Sequence, residues 1–214
     1  MMKKQVVEAS MGIKSLNILY NSAINGVVGS GSHVSIMAKE YIDRYVGIEE
    51  ACKAMMRMQI GKCATSGILS GMGGIITLPI TLPLNLSSVI YMQMRMIACI
   101  AYMAGHEVNS EQTQTLVLSC LMGVPISQFL KKTTVSISTK TATKIIEKIP
   151  GAVLMKINQM IGFRFITKFG TTGTVNLGKS VPILGSIAGG CVDYCGTKVI
   201  ANRAYSMFFE NKYN

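Results

Sequence analysis

The chain predicts an all-α fold: a single-domain bundle of glycine-rich, closely packed helices with a proline-containing apolar helical hairpin. Three observations carry this. Strand-like runs between turn signals are missing, and Val135 to Thr139 alternates only briefly between flanks of helical pattern. Capping residues and glycine stops cut the chain into segments of helical length. Hydrophobic residues make up 49% and charged residues 14% of 214 positions, where about 25% charged is usual. That is enough apolar surface for one sizeable core. It excludes a disordered chain, which needs many charges, and a Glu- and Lys-rich coiled coil.

The elements follow in order. Residues 1–14 read as a frayed N-terminal segment ahead of a domain over 15–210. Ser15 to Tyr45 reads as two short helices about a bend at Gly29 to Gly31. Glu49 and Glu50 suit the positive end of a helix dipole, so the next helix is expected from Ile48 to about Gly73. Cys63 to Met94 then runs thirty-two residues without a formal charge. A membrane span needs about 20 apolar residues, but Pro79 and Pro83 divide this run. Proline removes a donor and disfavours helix in the residue before it. The run reads as a buried hairpin with an extended proline corner; a membrane-embedded hairpin or two spans are the alternatives. A helix from Leu84 to Ala104 stops at Gly105. Asn109 or Ser110 caps the next, which ends near Gly123. Helices are then expected from Ile126 towards Ile149, from Ala152 to about Lys168, and from Ile183 to about Phe208. The glycine- and threonine-rich stretch Gly170 to Pro182 reads as a loop.

The formal charge is +11, with pI near 9.5, which suggests a membrane surface or an anionic ligand. Lys131 to Lys179 holds nine basic residues and only Glu147 as an acid. Lys140, Lys144 and Lys148 make a stripe opposite Ala142, Ile145, Ile146 and Ile149. That is the pattern of a helix lying on an anionic membrane, each Lys contributing about 1 kcal/mol. The alternative is the solvated face of a core-packed helix. No basic surface interleaves with stacking aromatics, so nucleic acid is not expected.

Gly185 and Gly189 are spaced for close helix packing, and Asp193 and Gly196 extend that face. A carboxylate there needs a partner. Arg95, on an otherwise apolar helix beside Met94 and Met96, is the most attractive one; its other reading is a ligand for a phosphate or lipid headgroup. Arg95, Arg164 and Lys179 are expected to converge near Asp193 as a buried polar centre or anionic headgroup site. Ten carboxylates and two histidines are thin equipment for acid–base chemistry. No G-x-S-x-G, P-loop, Rossmann or H-E-x-x-H template is read, so neither enzyme activity nor a cofactor is expected. His33 and His106 are expected at exposed helix ends. Cys52, Cys63, Cys99, Cys120, Cys191 and Cys195 include no CxxC pair. They read as small apolar fillers, not metal ligands. Glu8, Lys14 and Asn17 break any secretory h-region, which with free thiols points to the cytoplasm.

Two blocks carry a family resemblance. One is Gly71-Met-Gly-Gly-Ile-Ile-Thr-Leu-Pro-Ile-Thr-Leu-Pro-Leu-Asn-Leu with Gln93-Met-Arg-Met-Ile-Ala-Cys-Ile-Ala-Tyr-Met-Ala-Gly-His. The other is Asn158-Gln-Met-Ile-Gly-Phe-Arg-Phe-Ile-Thr-Lys-Phe-Gly with Asn176-Leu-Gly-Lys-Ser-Val-Pro-Ile-Leu-Gly-Ser-Ile-Ala-Gly-Gly-Cys-Val-Asp. In this order they resemble the EcsC family of bacterial proteins, over about residues 45 to 208. The resemblance implies a glycine-rich helical protein associated with membranes, from a family named for a gene beside an ABC-transporter pair. It brings no established reaction and so no catalytic residue. It marks Gly74, Pro79, Pro83, Arg95, Gly105, Arg164, Gly178, Lys179, Pro182, Gly185 and Asp193 as family-typical. Asn85 departs from a position that is acidic in many members. The expected function is a non-enzymatic, cytoplasmic-side membrane-associated protein that binds anionic lipid or a membrane protein partner such as a transporter. Two alternatives stand beside it: a soluble lipid or small-ligand carrier with an apolar cavity, and a membrane-damaging effector.

Overall fold

The computed structural model describes residues 2–26, 31–64, 84–130, 149–169 and 186–212. Among them are eight helices and no strand: α1 (Met2–Asn25), α2 (Val34–Ile42), α3 (Ile48–Ala64), α4 (Leu84–Met103), α5 (Glu111–Met122), α6 (Ser127–Leu130), α7 (Gly151–Phe169) and α8 (Ser186–Phe208). The all-α reading holds. The proline corner at Pro79 and Pro83 and most of the expected helix towards Ile149 lie outside the described residues.

The expected frayed end is instead helical from Met2. Leu16, Leu19, Tyr20, Ala23 and Ile24 form a buried stripe at helical spacing, and α1 packs on α7 and α4. Gly12 permits a close approach: a Cβ there would lie 2.9 Å from the Gly162 carbonyl oxygen. The Tyr20 hydroxyl donates to the Val108 carbonyl at 2.7 Å, and Asn17 accepts from Gln114 at 3.0 Å. These contacts explain the helix. Its stability comes from partners about a hundred residues and more away, and local sequence does not display them.

At the centre, α4 touches α1, α2, α3, α5 and α8. From Ile90 to Ala101 all its residues but Met92 are buried, as a helix apolar on every side should be. Gly105, at φ +86°, ends it as expected. Ser110 caps α5, its Oγ accepting from the Thr113 amide at 3.2 Å. α5 is buried almost throughout and ends at Gly123, φ +71°.

α8 meets α4 through a buried hydrogen bond, Gln93 Nε2 donating to Thr197 Oγ1 at 2.9 Å. Gly196 was expected on a close-packing face. Here it is exposed, and a Cβ there would meet nothing within 4 Å. Thr197, one position and about 100° further round the helix, faces the core in its place.

Candidate functional site

Arg95 is buried, and its partners are backbone carbonyls. Nη1 donates to the Ala23 oxygen at 2.8 Å and Nη2 to the Ser32 oxygen at 2.7 Å. Nη2 also lies 3.8 Å from Met37 Sδ. Ala23 is in the last turn of α1, where free carbonyls form the negative end of the dipole. Ser32 stands just before α2, so one guanidinium ties the exit of α1 to the entry of α2. A Cβ on Gly31 would come within 3.3 Å of Nη2, so glycine suits this approach. Gln93, two residues and about 200° away round α4, is the side chain that meets α8. The side chain of Asp193 and all of Lys179 lie outside the described residues, as do Lys140, Lys144 and Lys148.

Arg164 is held elsewhere. Its Nη1 donates to the Gly123 carbonyl and, at 3.4 Å, to the Met122 carbonyl. Arg203, which sequence reasoning passed over, reaches the same turn from α8, with Nη1 donating to the Cys120 carbonyl at 2.8 Å. It lies so close that a Cβ on Gly123 would be 3.2 Å from Nη1. The last turn of α5 leaves carbonyls without intrahelical donors. The Ser119 oxygen is taken by the Val124 amide at 2.9 Å, and the two arginines take the carbonyls of Cys120, Met122 and Gly123 from outside. Lys168 stands one turn after Arg164 on the same face of α7. Desolvation first, and then the Arg203 charge, hold its ammonium below the usual lysine range. Among the described residues, Arg95 and Arg164 therefore serve different helix ends and share no partner.

Cys52, Cys99 and Cys120 are buried fillers, whereas Cys63 is half-buried, Cys195 is exposed and the Cys191 side chain lies outside the described residues. Burial pushes the Cys52 and Cys120 thiols up to about 12 and Cys99 further still, so they are protonated and inert at neutral pH. His106 was expected to be exposed. It is buried, with its ring edge-on to Phe208 at 5.1 Å between centroids, because the turn after Gly105 folds back over the core. His33 does stand at a helix start, its Nδ1 accepting from the Ser35 amide at 3.2 Å.

The absence of a P-loop needs correcting at the level of spacing. Gly173-Thr-Val-Asn-Leu-Gly-Lys-Ser fits G-x-x-x-x-G-K-[ST]. That motif draws its chemistry from a strand before the loop and a helix after it, and the described residues include no strand. The string itself lies outside them, so it remains a match of spacing.

The arrangement brings two guanidiniums from different helices to one helix end, where they donate to its last carbonyls. No curated protein and no solved structure gives a match. The model of the EcsC protein family matches residues 45–209, most of the chain, and the protein belongs to that family.

Proposed function

We propose that the protein binds peripherally to acidic phospholipid surfaces and acts there without catalysing a reaction. The outward face of α7 carries the reading. Met155 and Phe163 are 64% and 49% exposed, and they share about 100° of arc with Lys156 and Gln159. The helix holds three basic residues and no acid. Exposed apolar side chains beside a lysine, on a chain of charge +11, match the interfacial pattern of apolar anchors and cations. Among the described residues no helix is long and apolar enough to cross a membrane, and the proposed seat is on the surface.

Magnitudes set the strength. One lysine contributes about 1 kcal/mol near an anionic surface, and finishing the burial of two half-exposed side chains adds about 2 kcal/mol. Roughly 3 kcal/mol is weaker than millimolar binding. α7 alone therefore gives brief contact, and lasting attachment draws on the charge of the whole chain. Vesicle sedimentation tests this. The protein should pellet with phosphatidylglycerol-containing vesicles, stay in solution with phosphatidylcholine alone, and be released by high salt. Lys156→Glu with Phe163→Ser should weaken pelleting several-fold. Equal partition to neutral vesicles, or none to acidic ones, would sink the proposal.

A further inference from the structure

We propose that the turn between α2 and α3 docks on the outward face of α7 in a second copy of this chain. Tyr45, Val46 and Ile48 stand together around Gly47 and are exposed, Val46 completely, at 100%. An ordered backbone presents them. The Arg44 amide donates to the Tyr41 carbonyl at 3.1 Å and the Gly47 amide to the Tyr45 carbonyl at 3.0 Å, while the Gly47 carbonyl accepts from the Ala51 amide at 3.0 Å. Gly47 makes the turn at φ +138°, a conformation that glycine adopts without steric cost. Apolar side chains gathered at one exposed place and rimmed by charge mark a contact, which scattered ones do not.

Charge selects the occupant. Four of the chain's ten carboxylates, Glu40, Asp43, Glu49 and Glu50, fall within residues 40–50, bordered by Lys39 and with Arg44 between them. Glu49 is engaged by Lys53 at 3.7 Å and by the Tyr205 hydroxyl at 2.9 Å. Glu40, Asp43 and Glu50 make no ion pair among the described residues. Glu40 and Asp43 also stand at the C-terminal end of α2, where the dipole disfavours a carboxylate. The fold gains little from acids so placed, and an acidic phospholipid surface would repel them. A cationic apolar surface suits them. The outward face of α7 is one, with Met155 and Phe163 exposed beside Lys156 and no acid in the helix. α7 packs mainly on α1 and α5, so one copy presents the turn and this face on different elements. Turn against turn would oppose carboxylates, and α7 against α7 would oppose lysines, which leaves the crossed pairing. A crossed contact leaves each copy with one more turn or face to offer, so association runs on head to tail.

The contact is small and therefore weak, so sedimentation velocity of the full chain is followed up to about 0.5 mM in low salt. The sedimentation coefficient should keep rising with concentration beyond that of a dimer, and should fall back when salt is added. Val46→Ser, at a side chain that touches nothing in the fold, should weaken association about tenfold with an unchanged helical circular dichroism spectrum. Lys156→Glu with Phe163→Ser should weaken it through the other half. Mixing the two variants is the decisive arm. The first keeps an intact α7 face and the second an intact turn, so an equimolar mixture should pair as tightly as wild-type copies do and stop at a dimer. A wild type that stays monomeric or halts at a dimer overturns the proposal, as does equal association by Val46→Ser or a mixture no better than its parts. The contact shares α7 with the membrane reading without resting on it. No lipid is present in this measurement, so either proposal can fail while the other stands.

Discussion

At the scale of single residues, glycines divide by what a methyl group would meet. Gly12→Ala drives a Cβ to 2.9 Å from the backbone of α7, where neither helix can yield cheaply; a loss of about 1–3 kcal/mol is expected. Gly196→Ala adds a methyl in open space on a helix interior and should gain about 0.5–1 kcal/mol. Urea midpoints of the two variants should move in opposite directions, and a shared sign would contradict the packing described. The thiols yield a second test. Cys195 is exposed, whereas Cys52, Cys99 and Cys120 are buried, so a thiol reagent at about pH 8 should label Cys195 at once and those three only on unfolding. Their raised pKa values also set a pH dependence. A thiol at about 12 folded, against 9.0 as its ordinary value, contributes its full stability below about pH 9 and loses it as pH rises towards 12. Burial raises Tyr20 in the same sense, while Lys168 runs the other way, because desolvation first and then the Arg203 charge disfavour its ammonium in the fold. Three thiols and a phenol outweigh one ammonium. Stability should fall steeply above about pH 9, as seen in denaturation midpoints across that range.

Among elements, α5 is the one whose integrity depends most on side chains from elsewhere. Its N-terminal cap is local and its C-terminal cap is not. Arg203→Ala removes a charged donor from the Cys120 carbonyl, and Arg164→Ala strips those of Met122 and Gly123; each should cost about 1.5–3 kcal/mol. Because both serve one turn, their combined loss should depart from additivity, which a double-mutant cycle measures. The contrast explains what was legible. Ser110, Gly105 and Gly123 announced the borders of α4 and α5, since caps act within a few residues. Arg95 stood out as a lone charge on an apolar helix, and it is buried, yet its partners are carbonyls, which no side-chain pattern marks. Arg203 gave no signal, because nothing in spacing links a residue to a carbonyl 83 positions earlier. The extent of α1 was hidden for the same reason: the contacts that hold the helix lie in α4, α5 and α7.

For the whole molecule, the family match begins at residue 45, yet the core does not. Leu16, Leu19, Tyr20, Ala23 and Ile24 of α1 and Val34 and Ala38 of α2 belong to the same buried cluster as α4, α5 and α7. A fragment lacking the first 42 residues should expose the faces those helices cover; it should aggregate or bind a hydrophobic dye while the full chain does neither. The same packing has a consequence during synthesis. α1 leaves the ribosome before α7, against which it lies and which is complete only when Phe169 has been added. At roughly 5–20 residues per second, the apolar stripe of α1 is without its partner for on the order of 10–30 s. Throughout that interval a helix ready to bury Leu16, Leu19, Tyr20 and Ile24 faces whatever the nascent chain meets, a chaperone or a bilayer, before it faces its own fold.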